Sequence, residues 1–477
     1  MSAFGARACC GAIPGAAVGR SSRWRAGFVV TIALLHLTAA VVPALSAQTR
    51  SSTSARRTTT AVPIIFVHGN GDHAGLWDLT IWRFESNGYP ADRLFAIDLP
   101  HPVATSAIAT REWNRSTPEE QTEALAAFVT RVLLRTGASR VALIGSSRGG
   151  MTIRNYVRFA GGAAHVSHVI TCGTPNHGVL ALPTVQPNGE FNGLGPYLVA
   201  LNRGSEVVAG VKFLTLRSDS QDKYAQPDGA QLGMPGSTTG VNFAGPALRG
   251  ATNLVLPGED HREVAFSPAS FRAQFRFLTG KLPTRVEIQP DTTAVLDGMI
   301  SGSINGAPSN LPLIGATVVV HEVDPQTGER RREAVHRSIT TFTGRWGPFR
   351  ANPTAHYEFE IAPPDSTIIL HAYRSPFPRS SALINFRLPA PPSRKADSTS
   401  VLITRPRGYF GIGRDTVTFN GALATGIPAG VPATDRALKW FSTAAPQSVR
   451  TRVNHEYLVV RTQPNDPRRL VLAEFSR

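Results

Sequence analysis

The chain has 477 residues, a net charge of +16, a hydrophobic fraction of 42% and a charged fraction of 17%. This length gives room for about two to four domains, and the composition is that of a globular protein rather than a disordered one. The basic residues are mostly scattered arginines, without a groove of alternating basic and aromatic residues. We therefore expect no binding to nucleic acid and attribute the surplus charge to solubility or to contact with anionic surfaces.

The N-terminus has the pattern of an export signal. Several arginines precede an apolar run at residues 26–42, and small residues follow it. A signal peptidase would cut such a sequence after Ala47 or one residue earlier, whereas an uncleaved anchor is the alternative because a run of about 17 residues is borderline for a membrane span. We predict a signal peptide at residues 1–47, a polar lead-in at residues 48–60 and a secreted protein, extracellular or periplasmic.

Cysteine usage agrees with export. Cys9 and Cys10 lie in the predicted leader, which leaves Cys172 alone in the mature chain. A mature chain with one cysteine has no internal disulfide and no cysteine-based metal site.

Strand and helix patterns alternate along residues 61–283. The run VPIIFVHG is continuously apolar and ends in glycine, as buried parallel strands do, and RVALIG and VKFLTLRS are similar. The clearest helix pattern begins at a capping box of Ser116 and Glu119 and ends at Gly137. Such alternation predicts a mostly parallel sheet with helices on both faces.

The pattern changes after residue 283. No helical pattern stands out between residues 285 and 415, where short strand patterns are separated by glycine and proline. We predict an all-β C-terminal region of two β-sandwich-like modules, at residues 284–375 and 376–477. A proline-rich stretch, LPAPPSRKADSTS, leads into the short strands of the second module.

A serine between two glycines is the candidate nucleophile. Gly145 and Gly149 stand two residues before and two residues after Ser147, with an apolar strand pattern before them and a helix pattern behind. Small residues at these places let the backbone turn sharply and expose the hydroxyl. The pentapeptide alone is common and fits an ordinary glycine-rich turn, but the strand and helix on either side favour a nucleophile.

A nucleophilic serine needs a base, and in this arrangement the chain order is serine, acid, histidine. His261 follows a strand pattern in NLVLPGEDHREVAFSP and is the candidate base. Asp219 and Asp222 both follow the strand KFLTLRS. We prefer Asp222 as the acid because apolar residues and a proline turn the chain after it, whereas Asp219 could instead cap the loop.

Two backbone N–H groups are expected to stabilise the developing oxyanion. Arg148 supplies one because it follows the nucleophile, and Asn70 supplies the other because it lies in the loop HGNGDHAG after the first strand. The alternative for this loop is a metal site made of His68, Asp72 and His73, which no further cluster supports. We predict no metal and no cofactor.

Five motifs resemble, in the same order, those of bacterial class 2 lipases of the α/β-hydrolase superfamily: IIFVHGNG, LIGSSRGG, TCGTPNHG, LTLRSDSQDKYAQP and LRGATNLVLPGEDH. The resemblance covers about residues 61–280 and implies an α/β-hydrolase fold with Ser147, Asp222 and His261 as a catalytic triad. The following region, from DGMISGSING to HYEFEI, resembles that of an archaeal long-chain lipase, in which this part contributes to lipid binding. It is also similar, more weakly, to carboxypeptidase-regulatory-type β-sandwiches.

The nucleophile elbow is the turn from Gly145 to Gly149 around Ser147. Its sequence differs from the common Gly-His-Ser-Met-Gly at the two variable positions, which Ser146 and Arg148 occupy. The oxyanion donors are backbone groups, so the mechanism tolerates this difference. We expect the Arg148 side chain near the pocket entrance, where it would influence the acyl preference.

These observations predict a carboxylic ester hydrolase, most simply a monomeric triacylglycerol lipase or esterase acting on a lipid or other apolar ester. The alternatives are an extracellular polyester depolymerase of the polyhydroxyalkanoate type and a catalytically dead protein that adheres to a surface. The hydrolase domain is expected to be complete by about residue 280. The C-terminal half would then adsorb to a lipid interface through basic and aromatic segments such as HAYRSPFPRSS and RPRGYFGIG, or only shield an apolar face.

Overall fold

The computed structural model describes residues 61–364, 366–390, 398–442, 444–463 and 468–476. The predicted signal peptide and polar lead-in lie outside the described residues. Within the described residues, no helix combines the length and the apolar character needed to cross a bilayer.

A six-stranded parallel sheet forms the centre of the N-terminal half. Its strands are β1 (Ile64–Val67), β2 (Leu94–Ile97), β3 (Val141–Ser146), β4 (Val166–Cys172), β5 (Lys212–Arg217) and β6 (Thr252–Val255). The order across the sheet is β2-β1-β3-β4-β5-β6, and every neighbouring pair is parallel. β1 and β3 are buried along their whole length, which is why both read as continuous apolar runs.

Helices cover both faces of this sheet. They are α1 (Asp78–Ser86), α2 (Pro118–Thr136), α3 (Arg148–Phe159), α4 (Pro196–Asn202), α5 (Glu263–Phe266) and α6 (Pro268–Thr279). Short 3₁₀ turns occupy Ala74–Trp77, Ala91–Arg93, Gly162–Ala164, Lys223–Ala225 and Ala230–Leu232. α2 and α3 pack on one face around Leu125 and Val157, while α1 and α6 pack on the other around Phe84 and Phe271. The predicted α/β-hydrolase fold is confirmed.

The capping box of α2 lies one residue later than predicted. Thr117 is the N-cap, and Glu120 returns the second hydrogen bond, so Ser116 and Glu119 do not form the box. Pro118 explains the shift, because a proline has no N–H to lose at the first helical position and the N-cap is then the residue before it.

Among its described residues, the C-terminal region contains strands and no helices. They are β7 (Ala294–Leu296), β8 (Ile300–Ser301), β9 (Ser303–Ile304), β10 (Ala307–Pro308), β11 (Thr317–Val323), β12 (His336–Ile339), β13 (Phe349–Ala351), β14 (His356–Ala362), β15 (Ile369–Tyr373), β16 (Phe386–Arg387), β17 (Ser398–Thr404), β18 (Val417–Phe419), β19 (Ala422–Leu423), β20 (Arg436–Ser442), β21 (Ser448–Val453), β22 (Glu456–Arg461) and β23 (Arg469–Glu474). The main sheets are β12-β11-β14-β15-β23-β17-β20 and β19-β18-β21-β22, with three two-stranded pairs besides. Most pairs are antiparallel, and the predicted all-β character of the region is confirmed.

The module boundary predicted at residue 375 does not separate two sheets. β23, near the C-terminus, lies parallel between β15 and β17, so one seven-stranded sheet draws strands from both predicted modules. This pairing satisfies the open edge of β15 with a strand whose paired residues lie 100 positions later in sequence, which local strand patterns do not reveal.

The β-rich region packs directly against the hydrolase half, and the described residues form one compact unit. Leu79 and Trp82 of α1 belong to the same apolar cluster as Trp346 of the β-rich region. Next to them the wholly buried Asp78 pairs with Arg374 at 2.7 Å. Since a buried charge needs a partner, the two halves depend on each other for stability.

Candidate active site

The backbone at Ser147 makes the sharp turn that the sequence predicts. Ser147 lies between the end of β3 and the start of α3 with φ +50° and ψ −120°, a conformation that is strained for a residue other than glycine. A Cβ at Gly145 would come within 2.6 Å of the Gly150 nitrogen, and one at Gly149 within 2.5 Å of the His68 carbonyl oxygen. The glycines therefore permit the turn that presents the Ser147 hydroxyl at the carboxyl edge of the sheet.

Three side chains form a hydrogen-bonded row at this edge. His261 Nε2 lies 3.0 Å from Ser147 Oγ, and His261 Nδ1 lies 2.9 and 3.0 Å from the two carboxylate oxygens of Asp222. The Tyr224 ring packs edge-on against the imidazole, with ring centroids 4.6 Å apart. With the Nδ1 proton donated to Asp222, Nε2 is free to accept the proton of the serine hydroxyl.

Asp219 serves the loop and does not face the imidazole. Its carboxylate accepts the N–H of Gln221 at 3.1 Å and the N–H of Gly258 at 2.9 Å. Asp222 is thus the aspartate of the two that hydrogen-bonds to His261, and Asp219 fills the loop-capping role that the sequence left open.

The two residues expected to donate to the oxyanion both lie near Ser147: Arg148 follows it directly, and Asn70 lines the same cavity. Arg148 is the first residue of α3, so its N–H has no acceptor within the helix. Asn70 lies in the turn after β1, where the neighbouring Gly71 N–H is bonded to Pro102 but the Asn70 N–H has no hydrogen-bond partner among the described residues. A Cβ at Gly69 would lie 3.1 Å from the Ser147 Cβ, so the turn passes close against the nucleophile.

The expectation for the Arg148 side chain is wrong. The guanidinium is fully buried, not at an entrance, and lies 2.7–2.9 Å from the Glu190 carboxylate. It also donates to the Ser116 hydroxyl and carbonyl and to the Pro102 carbonyl. The elbow motif shows which position this arginine occupies, but its acidic partner stands 42 residues away and could not be read from the motif.

The histidines of the loop after β1 act as hydrogen-bond acceptors for the backbone. His68 Nε2 accepts the Leu99 N–H at 3.0 Å, and burial lowers the pKa of His68 to about 4, so the ring is neutral. His73 Nδ1 accepts the Gly75 N–H at 3.1 Å. The two histidines therefore have a structural role as acceptors of backbone hydrogen bonds, and this geometry does not favour the metal alternative.

One set of three possible metal ligands does converge among the described residues, and it lies in the β-rich region. It consists of Glu358, Glu360 and His371. Arg330 already lies 2.8 Å from Glu358 and 2.5 Å from Glu360, so a guanidinium occupies the position between the carboxylates.

A cavity of about 270 Å³ opens onto Ser147 and His261. Its apolar wall comes from two loops and consists of Val179, Leu180, Val185, Phe191, Leu232 and Met234. A neighbouring cavity of about 320 Å³ shares Tyr224 and His261 with the first and includes His177. The apolar wall beside the hydroxyl is suited to the hydrocarbon part of a substrate.

Sequence reasoning missed two residues of the first cavity, Arg262 and Tyr409. Tyr409 comes from the segment RPRGYFGIG, which we expected to be an exposed surface for lipid. Instead Arg405, Arg407 and Tyr409 are buried against the hydrolase half. The same holds for Arg374 of HAYRSPFPRSS. Arginine-rich strand patterns look exposed in sequence because their carboxylate partners, such as Asp78, lie far away along the chain.

Two family models match the chain. Residues 61–178 match the model described as lipase (class 2), and residues 294–391 match the model described as lipase C-terminal domain. These matches confirm the resemblance to class 2 lipases with a lipase-type C-terminal region and indicate a hydrolase of the lipase and esterase class.

Several solved structures are similar to this chain. The lipase BlEst2 of Bacillus licheniformis in its mature form is 23% identical with a TM-score of 0.34, over 46% of this chain and 92% of that one. The lin2722 product of Listeria innocua is 17% identical with a TM-score of 0.32, over 48% and 99%. A monoacylglycerol lipase of Paleococcus ferrophilus is 15% identical with a TM-score of 0.30, over 46% and 96%.

Proposed function

We propose that this protein is a secreted serine hydrolase of carboxylic esters, a triacylglycerol lipase or esterase, with Ser147, His261 and Asp222 as its catalytic triad. The row of hydrogen bonds from the Asp222 carboxylate through His261 to the Ser147 hydroxyl carries the proposal. Such a row activates a hydroxyl that is otherwise a weak nucleophile at neutral pH. Export is supported by the leader pattern in the sequence.

In the proposed reaction, Ser147 Oγ attacks the ester carbonyl carbon while His261 Nε2 takes the hydroxyl proton. Asp222 stabilises the resulting imidazolium, and the N–H groups of Asn70 and Arg148 donate to the oxyanion. Collapse of the tetrahedral intermediate breaks the bond to the alcohol, which leaves with the proton from His261. Water, deprotonated by His261, then attacks the acyl-enzyme, releases the acid and restores Ser147.

The substrate we propose is an ester with an apolar acyl group. The apolar wall of the cavity at Ser147 supports this choice. We also propose that the β-rich region adsorbs to a lipid interface. The side chains that would contact the lipid differ from those of the two segments that the sequence suggested. Ile314, Ile339 and Phe342 are exposed in the β-rich region, and the Gly315–Thr340 hydrogen bond joins the two chain segments that carry them.

The test is a series of p-nitrophenyl esters from two to sixteen carbons, with Ser147→Ala as control, together with labelling by a fluorophosphonate. An activated serine reacts with the fluorophosphonate, so a dead surface-binding protein would neither label nor hydrolyse. A polyester depolymerase would erode a polyhydroxyalkanoate film faster than it hydrolyses emulsified triglyceride. We expect labelling of Ser147 and faster hydrolysis of triglyceride than of the film.

A further inference from the structure

The loop that carries Asn70 is held by side chains from the β-rich region. Arg387 of β16 donates from Nη1 to the Gly71 carbonyl and from Nη2 to the Asp72 carbonyl, the latter at 2.9 Å. Asn310 donates from Nδ2 to the same Asp72 carbonyl at 3.0 Å. The two residues that follow Asn70 therefore have their carbonyls bound by side chains more than two hundred residues away.

Arg387 and Asn310 act as one unit. The Asn310 side-chain oxygen accepts a hydrogen bond from the Arg387 guanidinium, while its Nδ2 also donates to the Leu99 carbonyl at 2.9 Å and lies 3.3 Å from His68 Nε2. Asn310 is buried, with 4% of its surface exposed. A buried amide with its donors and acceptor all in use fixes the groups around it, because each lost contact would leave an unsatisfied polar atom.

The far end of the loop is fastened in the same way. Asn385 donates to one oxygen of Asp98 at 3.1 Å, and the other oxygen of Asp98 accepts the Ala74 N–H at 2.7 Å. The loop after β1 is thus bound at several points by the β-rich region. On the side of the hydrolase half, the Gly71 N–H is bonded to the Pro102 carbonyl at 3.1 Å.

We infer that Arg387 and Asn310 are positioning residues for ester hydrolysis, which hold the Asn70 N–H where the oxyanion forms. The inference rests on the proposed function. An oxyanion donor is effective because it is fixed before the reaction, and a displacement of about 1 Å can lower the rate roughly a hundredfold. The inference gives the β-rich region a role in positioning an oxyanion donor, whereas the sequence predicted a hydrolase domain complete by about residue 280.

The test uses the full-length protein and a soluble short ester, p-nitrophenyl butyrate, so that adsorption to a surface plays no part. Arg387→Met removes the donors to the loop, and Asn310→Asp keeps the acceptor for Arg387 but removes the Nδ2 donors. For both variants we expect kcat to fall about tenfold or more while KM stays within about twofold. The matched control is Arg345→Met, because Arg345 of the same region pairs with Asp297 and donates to the Ala382 carbonyl. We expect it to keep the wild-type kcat.

A second readout separates positioning from mere loss of stability. Butylboronic acid forms an anionic tetrahedral adduct with a catalytic serine, so its inhibition constant should rise by the same factor as kcat/KM falls. Arg387→Lys keeps a cation without the planar fork, and we expect an intermediate kcat at a wild-type melting temperature.

The inference is overturned if Arg387→Met keeps kcat within about twofold of wild type. Should that variant not fold, the inference is overturned if Arg387→Lys and Asn310→Asp both keep kcat within that range. It is also overturned if kcat falls but boronate inhibition stays at the wild-type value. A wild-type protein that neither labels with a fluorophosphonate nor hydrolyses any ester would instead refute the proposed function, and the inference with it.

Discussion

Arg262 and Asp435 join the loop of the candidate base to the β-rich region. Arg262 directly follows His261, and its Nη1 lies 2.7 Å from the Asp435 carboxylate, 173 residues away in sequence. Its Nη2 lies 3.0 Å from the carboxylate of Asp72 in the loop of Asn70, the proposed oxyanion donor, and its guanidinium lies over the Tyr409 ring at 4.6 Å. The Arg262 side chain thus connects the loop of His261, the loop of Asn70 and the β-rich region.

The first prediction concerns this ion pair. Burial disfavours the charged form of Asp435, but the neighbouring Arg262 outweighs it and holds the pKa of Asp435 below its ordinary value. The stabilisation is therefore fully present above the unfolded-state pKa of about 3.9 and is lost as the pH falls through the lower folded-state pKa. Asp435→Asn should lower the free energy of unfolding at pH 7 by about 1–3 kcal/mol, since the pair is only partly exposed.

Urea unfolding at pH 7 and at acidic pH checks this prediction. Wild type and Asp435→Asn should converge as the pH falls, whereas Glu123→Gln, an exposed change on α2, should leave stability within about 0.5 kcal/mol throughout. A difference between wild type and Asp435→Asn that grows toward low pH would contradict the assignment.

The second prediction uses the strained backbone of the nucleophile. Ser147→Ala and Ser147→Gly should both retain less than about one per cent of the hydrolysis rate, because both lack the hydroxyl. Glycine tolerates a positive φ, so Ser147→Gly should be more stable than Ser147→Ala by about 1 kcal/mol. Thermal unfolding of the two variants measures this difference, and equal melting temperatures would show that the turn is not strained.

The third prediction separates the two aspartates. Asp222→Asn should lower kcat by about 10⁴, as loss of the carboxylate that orients the histidine does in serine hydrolases. Asp219→Asn replaces one of the two carboxylate oxygens that accept loop N–H groups, so it should lower the melting temperature while changing kcat far less than Asp222→Asn does. The measurement is kcat on a short ester beside the melting temperature of each variant. A larger loss of kcat in Asp219→Asn would mean that Asp219 is the acid of the triad.

How much the sequence revealed depended on the distance over which each feature acts. The turn at Ser147 follows from two glycines within two residues, and the order of Asp222 and His261 after it follows from the chain order of the fold. Both were found. The capping box was predicted one residue too early, because Pro118 takes the first helical position and thereby makes Thr117 the N-cap.

Long-range pairing accounts for the features that the sequence did not reveal. Arg148 was expected at the pocket entrance because its partner Glu190 is remote in sequence. Tyr409 was expected on the surface because the residues that bury it are also remote in sequence. The strand β23 returns to the sheet of β15 after a long excursion, so the two predicted modules share one sheet. Local patterns report whether a strand exists, but not which strand it will pair with.

The fourth prediction concerns the buried pair behind the nucleophile. Glu190→Gln should leave the Arg148 guanidinium buried without a compensating charge and lower stability by about 3–5 kcal/mol. The double change Arg148→Met with Glu190→Leu should destabilise less than Glu190→Gln alone, because no uncompensated charge is left. Urea unfolding of these variants measures the difference. A double-mutant cycle with Arg148→Met and Glu190→Leu as its single changes completes the test, and additive losses in that cycle would show that the two side chains are not coupled.

The last prediction is that residues 48–283 alone will hydrolyse a soluble short ester at no more than about a tenth of the full-length rate. Removing the β-rich region takes Arg374 from the buried Asp78 and uncovers Leu79 and Trp82, so the fragment should aggregate or unfold. It also removes the side chains that bind the loop of Asn70, so any folded fragment should lose kcat on p-nitrophenyl butyrate by at least about tenfold. The measurement compares fragment and full-length protein by size-exclusion chromatography and by kcat on that ester. A monomeric fragment with the full kcat would show that the β-rich region serves only at the lipid surface.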